Sequence, residues 1–142
     1  MGQGKMSLRV RLILEDSGKI LMLKQTKYNG GAYTLVGGKI EPDETAKQAL
    51  VRESWEEAGI ILKESDLQLL HTLHYFKNKS GRLVLFFKAQ RWSGKPVSKE
   101  RHKFKELEWH HCKNLPKQVK PSIAIVLQRM SQGYTYTELR QK

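Results

Sequence analysis

The sequence predicts an α/β fold in one domain, and three observations carry that expectation. Apolar Leu8, Val10, Leu12 and Leu14 alternate with Arg9, Arg11 and Ile13 at a period near two. Residues 45–58 contain neither Gly nor Pro, are rich in good helix formers, and are followed by Gly59, a residue suited to a left-handed helix end. Segments 67–77 and 82–92 carry the β-branched and aromatic content of paired strands and flank Asn78-Lys79-Ser80-Gly81. The 142 residues are 39% hydrophobic and 28% charged, enough for one core and its cover, which excludes a fibre or a disordered tail. No apolar run approaches the roughly 18 to 20 residues of a bilayer span, and the start has no signal-like apolar stretch. The expectation is a cytoplasmic protein with no membrane partner. A single cysteine, Cys112, excludes an internal disulfide and a cysteine-built zinc site.

Taken in order, 8–14 reads as a strand with one buried face. Asp16-Ser17-Gly18-Lys19 supplies a turn, and the apolar run 20–23 completes a hairpin with the first strand. Residues 25–32 are a polar loop. A short strand, 33–36, ends in Gly37-Gly38, where missing side chains permit positive φ and close approach of backbone to a ligand. The helix 45–58 follows, then the hairpin 67–92, a break at Ser93-Gly94-Lys95-Pro96, a last strand at 106–110, and a helix over 121–130 with proline at its start. One domain spans 1–142 in this reading, ending in a helix, with 1–6 and 132–142 fraying. Trp55, Trp92 and Trp109 are expected to be packed. His110-His111-Cys112 reads as a strand end rather than a metal cluster, because adjacent strand residues face opposite ways. His71 and His74 likewise face opposite ways, and one of them can line a pocket.

The net charge of +12 is unevenly spread. Residues 41–57 hold Glu41, Asp43, Glu44, Glu53, Glu56 and Glu57 against Lys47 and Arg52, a local charge of −4 in a remainder of +16. An acidic knot inside a basic chain suggests a cation site within a surface that attracts anions, a description met by a metal-bound polyphosphate. At about 100° per residue, Glu53, Glu56 and Glu57 share one helix face within an arc of roughly 100°. Such like charges cost a few tenths of a kcal/mol per pair unless neutralised, and Arg52, at i, i+4 to Glu56, offsets part of that. Oxygen-only ligands suit a hard cation, and Mg²⁺, which commonly bridges to phosphates, fits better than zinc.

Written out, the stretch is Gly38, five residues, Glu44, seven residues, then Arg52-Glu53-Ser54-Trp55-Glu56-Glu57-Ala58-Gly59-Ile60. It resembles the Nudix box, matching eight of the nine specified positions over 23 residues; the departure is Ser54, where an aliphatic residue is usual. Val36 stands where many relatives have Pro. The order of elements is also similar to that of small MutT-type Nudix proteins. The resemblance implies an α/β/α sandwich around a mixed β-sheet, and hydrolysis of a nucleoside diphosphate linked to another group, with Mg²⁺, or Mn²⁺ in its place, as cofactor. By the same resemblance Glu53, Glu56 and Glu57 are metal carboxylates and Gly38 adds a backbone carbonyl. Glu44 and Arg52 hold loop to helix, Gly59 ends the helix, and Lys39 reaches a phosphate. The base that accepts the proton of water is Glu53 or Glu100, with Glu106 behind them. Tyr33 and Tyr75, with Tyr28 and Phe76, are aromatic faces for stacking on a nucleobase. MutT-type enzymes that read oxidised guanine often carry an amide just before the proline of the last helix; here that place falls on Val119, beside Gln118. The expected partner is a small nucleotide, a nucleoside triphosphate cleaved to monophosphate and pyrophosphate. An ADP-ribose-type NDP-sugar is the alternative within the family, and a non-catalytic nucleic-acid-binding module the alternative outside catalysis. As an enzyme it should bind nucleic acid only weakly and without specificity, and act as a monomer or homodimer.

Overall fold

The computed structural model describes residues 5–141. Strand β1 (Met6–Ile13) lies in the middle of the molecule because both faces of its last residues are apolar: Leu12 and Leu14 enter one core, Ile13 the other. After β2 (Glu15–Asp16) and β3 (Lys19–Gln25) come the short strands β4 (Tyr33–Thr34) and β5 (Gly37–Lys39), helix α1 (Ala46–Ala58) and β6 (Ile60–Ile61). The hairpin β7 (Leu67–Lys77) and β8 (Ser80–Ala89) follows, then β9 (Ser93–Gly94), β10 (Phe104–His111), helix α2 (Pro121–Ser131) and β11 (Tyr136–Gln141).

The main sheet is mixed, in the order β11-β7-β8-β1-β5, with β1 parallel to β8 and β11 parallel to β7. A second sheet runs β10-β3-β2, with β4 on β3. Helix α1 seats Ala49, Leu50 and Ala58 against Val10, Leu12, Leu21, Leu23 and Phe87, while α2 seats Ile123 and Val126 against Ile13, Ile20, Met22, Leu73 and Phe86. Alternation along the strands thus feeds two cores, one under each helix, and the α/β/α sandwich follows. No helix among the described residues is long and apolar enough to cross a membrane.

Three expectations are corrected. The turn at 16–19 joins β2 to β3, but β1 does not pair with β3: the chain changes sheets at Leu14, which is fully buried and whose carbonyl accepts from Leu21 N. The stretch after Gln132 is not a frayed end to a helix. It forms β11, whose Thr137 is 3% exposed and bonded to His71, and which closes the far edge of the main sheet. Residues 1–4 lie outside the described residues; Met6 opens β1. Trp55, expected to be packed, is half exposed under the Lys99 ammonium, 3.5 Å from its ring centre.

Candidate active site

Thr45 starts α1 as a full capping box: its side chain accepts from Gln48 N, and the Gln48 side chain accepts from Thr45 N. Gly59 ends it in the left-handed conformation, φ 66°. The helix is thereby fixed beside β5, and the intervening loop is tied down by one side chain. Arg52 donates from Nε and NH2 to the two Glu44 oxygens at 2.6 and 2.8 Å, from NH1 to Glu53 at 2.8 Å and Glu56 at 3.3 Å, and from NH2 to the Lys39 carbonyl at 3.2 Å. Glu44 also accepts from Glu41 N. The guanidinium and these amide bonds hold the Glu44 carboxyl down at about 2.

Glu57 turns inward. It is 5% exposed and accepts from Gly37 N at 2.9 Å. Burial pushes its carboxyl up to about 8, against the Gly37 amide and assisted by Glu53. Glu53 is also raised, by burial first, with Arg52 opposing. Both glycines are required sterically. At Gly37, φ is +152° and an added Cβ would stand 2.0 Å from the Val10 carbonyl. At Gly38 it would stand 2.7 Å from the Glu53 carboxyl carbon, so the missing side chain is the space in which that carboxylate lies.

Among the described residues no three His, Cys, Asp or Glu side chains converge as a ready-made metal position, because Arg52 lies between Glu53 and Glu56 as an internal cation. The donor set nonetheless fits a hard divalent ion: it is all oxygen, it lies at a glycine-lined cradle, and two of its carboxyls are held high by burial, a cost that a cation would reverse.

The loop before β10 is docked on the end of α1, with Val97 N on Ala58 O and Lys99 N on Glu57 O, and Ser98 buried against Phe104. This brings Glu100 near enough for its charge to raise both Glu53 and Glu57. Glu106, by contrast, pairs across from Lys24 on β10 in the second sheet. Lys39 sits at the exposed edge, opposite Arg9.

On the other face of the main sheet, α2 roofs a cleft of about 700 Å³. Tyr75 lines it, its hydroxyl bonded to Gln141. Tyr33 does not. It is 9% exposed, donates to Glu108 at 3.0 Å and packs edge-on against His110, so its ring is not offered for stacking. Val119 is buried in the second core, bridging to Tyr33, and no amide stands there; the next residue, Lys120, reaches the cleft instead. Sequence reasoning missed the cations of this cleft, Arg9, Arg11, Lys77, Arg82, Lys120 and Arg140. The available signal was the unusual character of the polar positions on β1, arginine twice in succession. His71, a pocket candidate, is buried between Tyr134 O and the Thr137 hydroxyl and ties down β11.

Comparison with known proteins agrees with this geometry. The NUDIX domain model matches residues 6–130. The chain is 38% identical over 82 residues to the CTP pyrophosphohydrolase of Escherichia coli K12, a match covering 56% of this chain and 58% of that protein. It is 31% identical over 98 residues to the 8-oxo-dGTP diphosphatase of the same organism, covering 68% and 74%. Among solved structures, the MutT NUDIX hydrolase of Burkholderia pseudomallei superposes with a TM-score of 0.77 at 25% identity, covering 87% of this chain and 96% of that one.

Proposed function

This chain belongs to the NUDIX domain family, and we propose that it is a divalent-cation-dependent hydrolase of a small nucleotide, cleaving a nucleoside triphosphate to monophosphate and pyrophosphate. Members of the family generally use divalent metal ions, and similarity to a CTP pyrophosphohydrolase and to an 8-oxo-dGTP diphosphatase supports a triphosphate. The observation that carries the reading is the placement of Glu53, half-buried against Gly38, and Glu57, buried against Gly37, beside Glu56 on the same helix.

In this reading Glu53, Glu56 and Glu57 hold Mg²⁺ or Mn²⁺, with the Gly38 carbonyl. When bound, the ion supplies neutralisation of the diphosphate and acidification of water. The protein's part is position. Arg52 and Glu44 fix the loop so that the glutamates stand at one place, and Lys39 meets a phosphate at the exposed lip of β5. Water attacks phosphorus, the bridging P–O bond breaks, and the proton of water passes to Glu53 or to Glu100, the loop carboxylate held beside it. A screen of nucleotides, reading released pyrophosphate with Mg²⁺, Mn²⁺ or chelator, tests this. Turnover of at least one nucleoside triphosphate that is abolished by chelator is expected; no turnover of any with either ion would refute the assignment.

A further inference from the structure

We propose that the cleft under α2 receives a second phosphate of the substrate, one carried on the ribose apart from the diphosphate that is cleaved. The proposal rests on the hydrolase reading above and takes this cleft as the place of the nucleoside whose diphosphate lies at the α1 glutamates. Six basic residues line it, Lys77 and Arg140 among them; the four that matter here are Arg9 and Arg11 from β1, Arg82 from β8, and Lys120 at the start of α2. Among the described residues no Asp or Glu lines the cleft. Among the described residues none of the four stands within ion-pair distance of a carboxylate. Arg11 gives one N–H to the Leu35 carbonyl, and Arg9 Nε is buried with no hydrogen-bond partner among the described residues. The N-terminus of α2, with no acidic residue in its first turn, opens on the same space and adds partial positive charge.

Such a cluster is unfavourable when empty. Burial lowers Arg9, Arg11 and Lys120, and the cations lower one another, Arg82 acting on all three; at Arg11 the charges of Glu57 and Glu53 oppose this in part. A set of like charges that is only partly compensated, in a half-buried cleft, is explained by an anionic ligand.

The placement of the charges says which anion. Across the sheet Gly38 faces Val10 and Val10 faces Leu85, so Arg82, two strands over and three residues along β8 from Leu85, stands about 14 Å from Gly38. It is also on the opposite face from Glu53. A diphosphate at the α1 glutamates is met by Lys39 and the bound cation, which leaves Arg82 and Lys120 for a separate group. The cleft also offers apolar surface, from the half-buried Tyr75, Ile125 and Leu139, on which a nucleoside can rest. Two ligands share this chemistry: a free nucleotide bearing a 3′-phosphate, and the 5′ end of an RNA, whose first internucleotide phosphate occupies the same place.

Binding is measured first, on the metal-free protein, by comparing adenosine 3′,5′-bisphosphate with adenosine 5′-monophosphate. We expect the bisphosphate to bind about tenfold tighter or better, a ratio that Arg82→Gln and Lys120→Gln each cut back toward one. Arg82 is exposed, so the first variant is expected to keep the fold. Equal affinity of the two ligands overturns the proposal. Kinetics then compare a nucleoside triphosphate, the same compound with a 3′-phosphate, and a 5′-triphosphorylated dinucleotide. A higher kcat/KM for either phosphorylated form supports the proposal and identifies its source, whereas equal values for all three overturn it. If nothing is hydrolysed while the bisphosphate still binds more tightly, the hydrolase assignment fails and the anion site stands.

Discussion

A carboxyl buried beside a backbone amide, as Glu57 is, has two states of unequal cost in the folded chain. Its value of about 8 lies above that of an exposed carboxyl, so between about 4.5 and 8 the unfolded chain sheds this proton before the folded one does. Stability of the metal-free protein therefore falls as pH rises through that window. Glu57→Gln keeps an acceptor for Gly37 N and removes the charge. It should raise the metal-free melting temperature at pH 8, leave it unchanged near pH 4.5, and lower turnover by at least ~10²-fold. A variant with wild-type kcat at saturating Mg²⁺ would remove Glu57 from the metal set. Ser54 presents the opposite case. It is fully buried, its hydroxyl has no partner, and it occupies the one box position that departs from the family pattern. An unsatisfied buried hydroxyl costs about 1 kcal/mol or more, so Ser54→Ala should stabilise the protein in chemical denaturation by about that amount. Unchanged or reduced stability would mean that the hydroxyl is bonded in solution.

At the scale of elements, β11 depends on one histidine. His71 Nδ1 faces the Tyr134 carbonyl at 3.0 Å, and because a carbonyl only accepts, that nitrogen carries the proton and Nε2 accepts from the Thr137 hydroxyl at 2.8 Å. Burial, with Arg129 nearby, holds the imidazole below its ordinary 6.5. A depressed folded value gives stability that is present above pH 6.5 and lost as pH falls toward that value, since the unfolded chain takes up the proton first. Wild-type melting temperature should drop more between pH 7.5 and 5 than that of His71→Gln; parallel curves would count against the tie. The docked strand explains what the sequence could and could not reveal. The box was legible because its spacing is its function: a glycine for closeness, an arginine at one turn from its glutamates, carboxylates on one face. Strand β11 was illegible because Tyr136, Glu138 and Arg140 point outward at an edge, leaving Thr137 and Leu139 as an inward pattern too short to register. Nor could alternation alone tell that Leu12, Ile13 and Leu14 serve two cores, or that Tyr33 would spend its hydroxyl on Glu108, a residue 75 positions away.

For the whole molecule, the charge of +12 attracts any polyanion at low ionic strength, and the cleft under α2 concentrates part of it in a cavity. Generic RNA or DNA should therefore bind weakly and be released near ~0.15 M salt, where the screening length is about 8 Å. Filter binding across a salt series measures this. Tight binding that survives such salt, in a protein that hydrolyses no nucleotide, would favour a nucleic-acid-binding module. A last consequence concerns association of the chain with itself. Strand β5 borders the main sheet, and a bare sheet border invites another chain to add a strand. Here Val36 O and Ile40 N bond to β1, so the intervening Gly37 N and Lys39 O are directed outward, and Glu57 and Arg52 take them. The side chains that hold the box together also stand where an invading strand would have to bond. Substitutions that release them expose an unpaired border, and inactive variants of this kind are expected to aggregate more readily than others of equal stability.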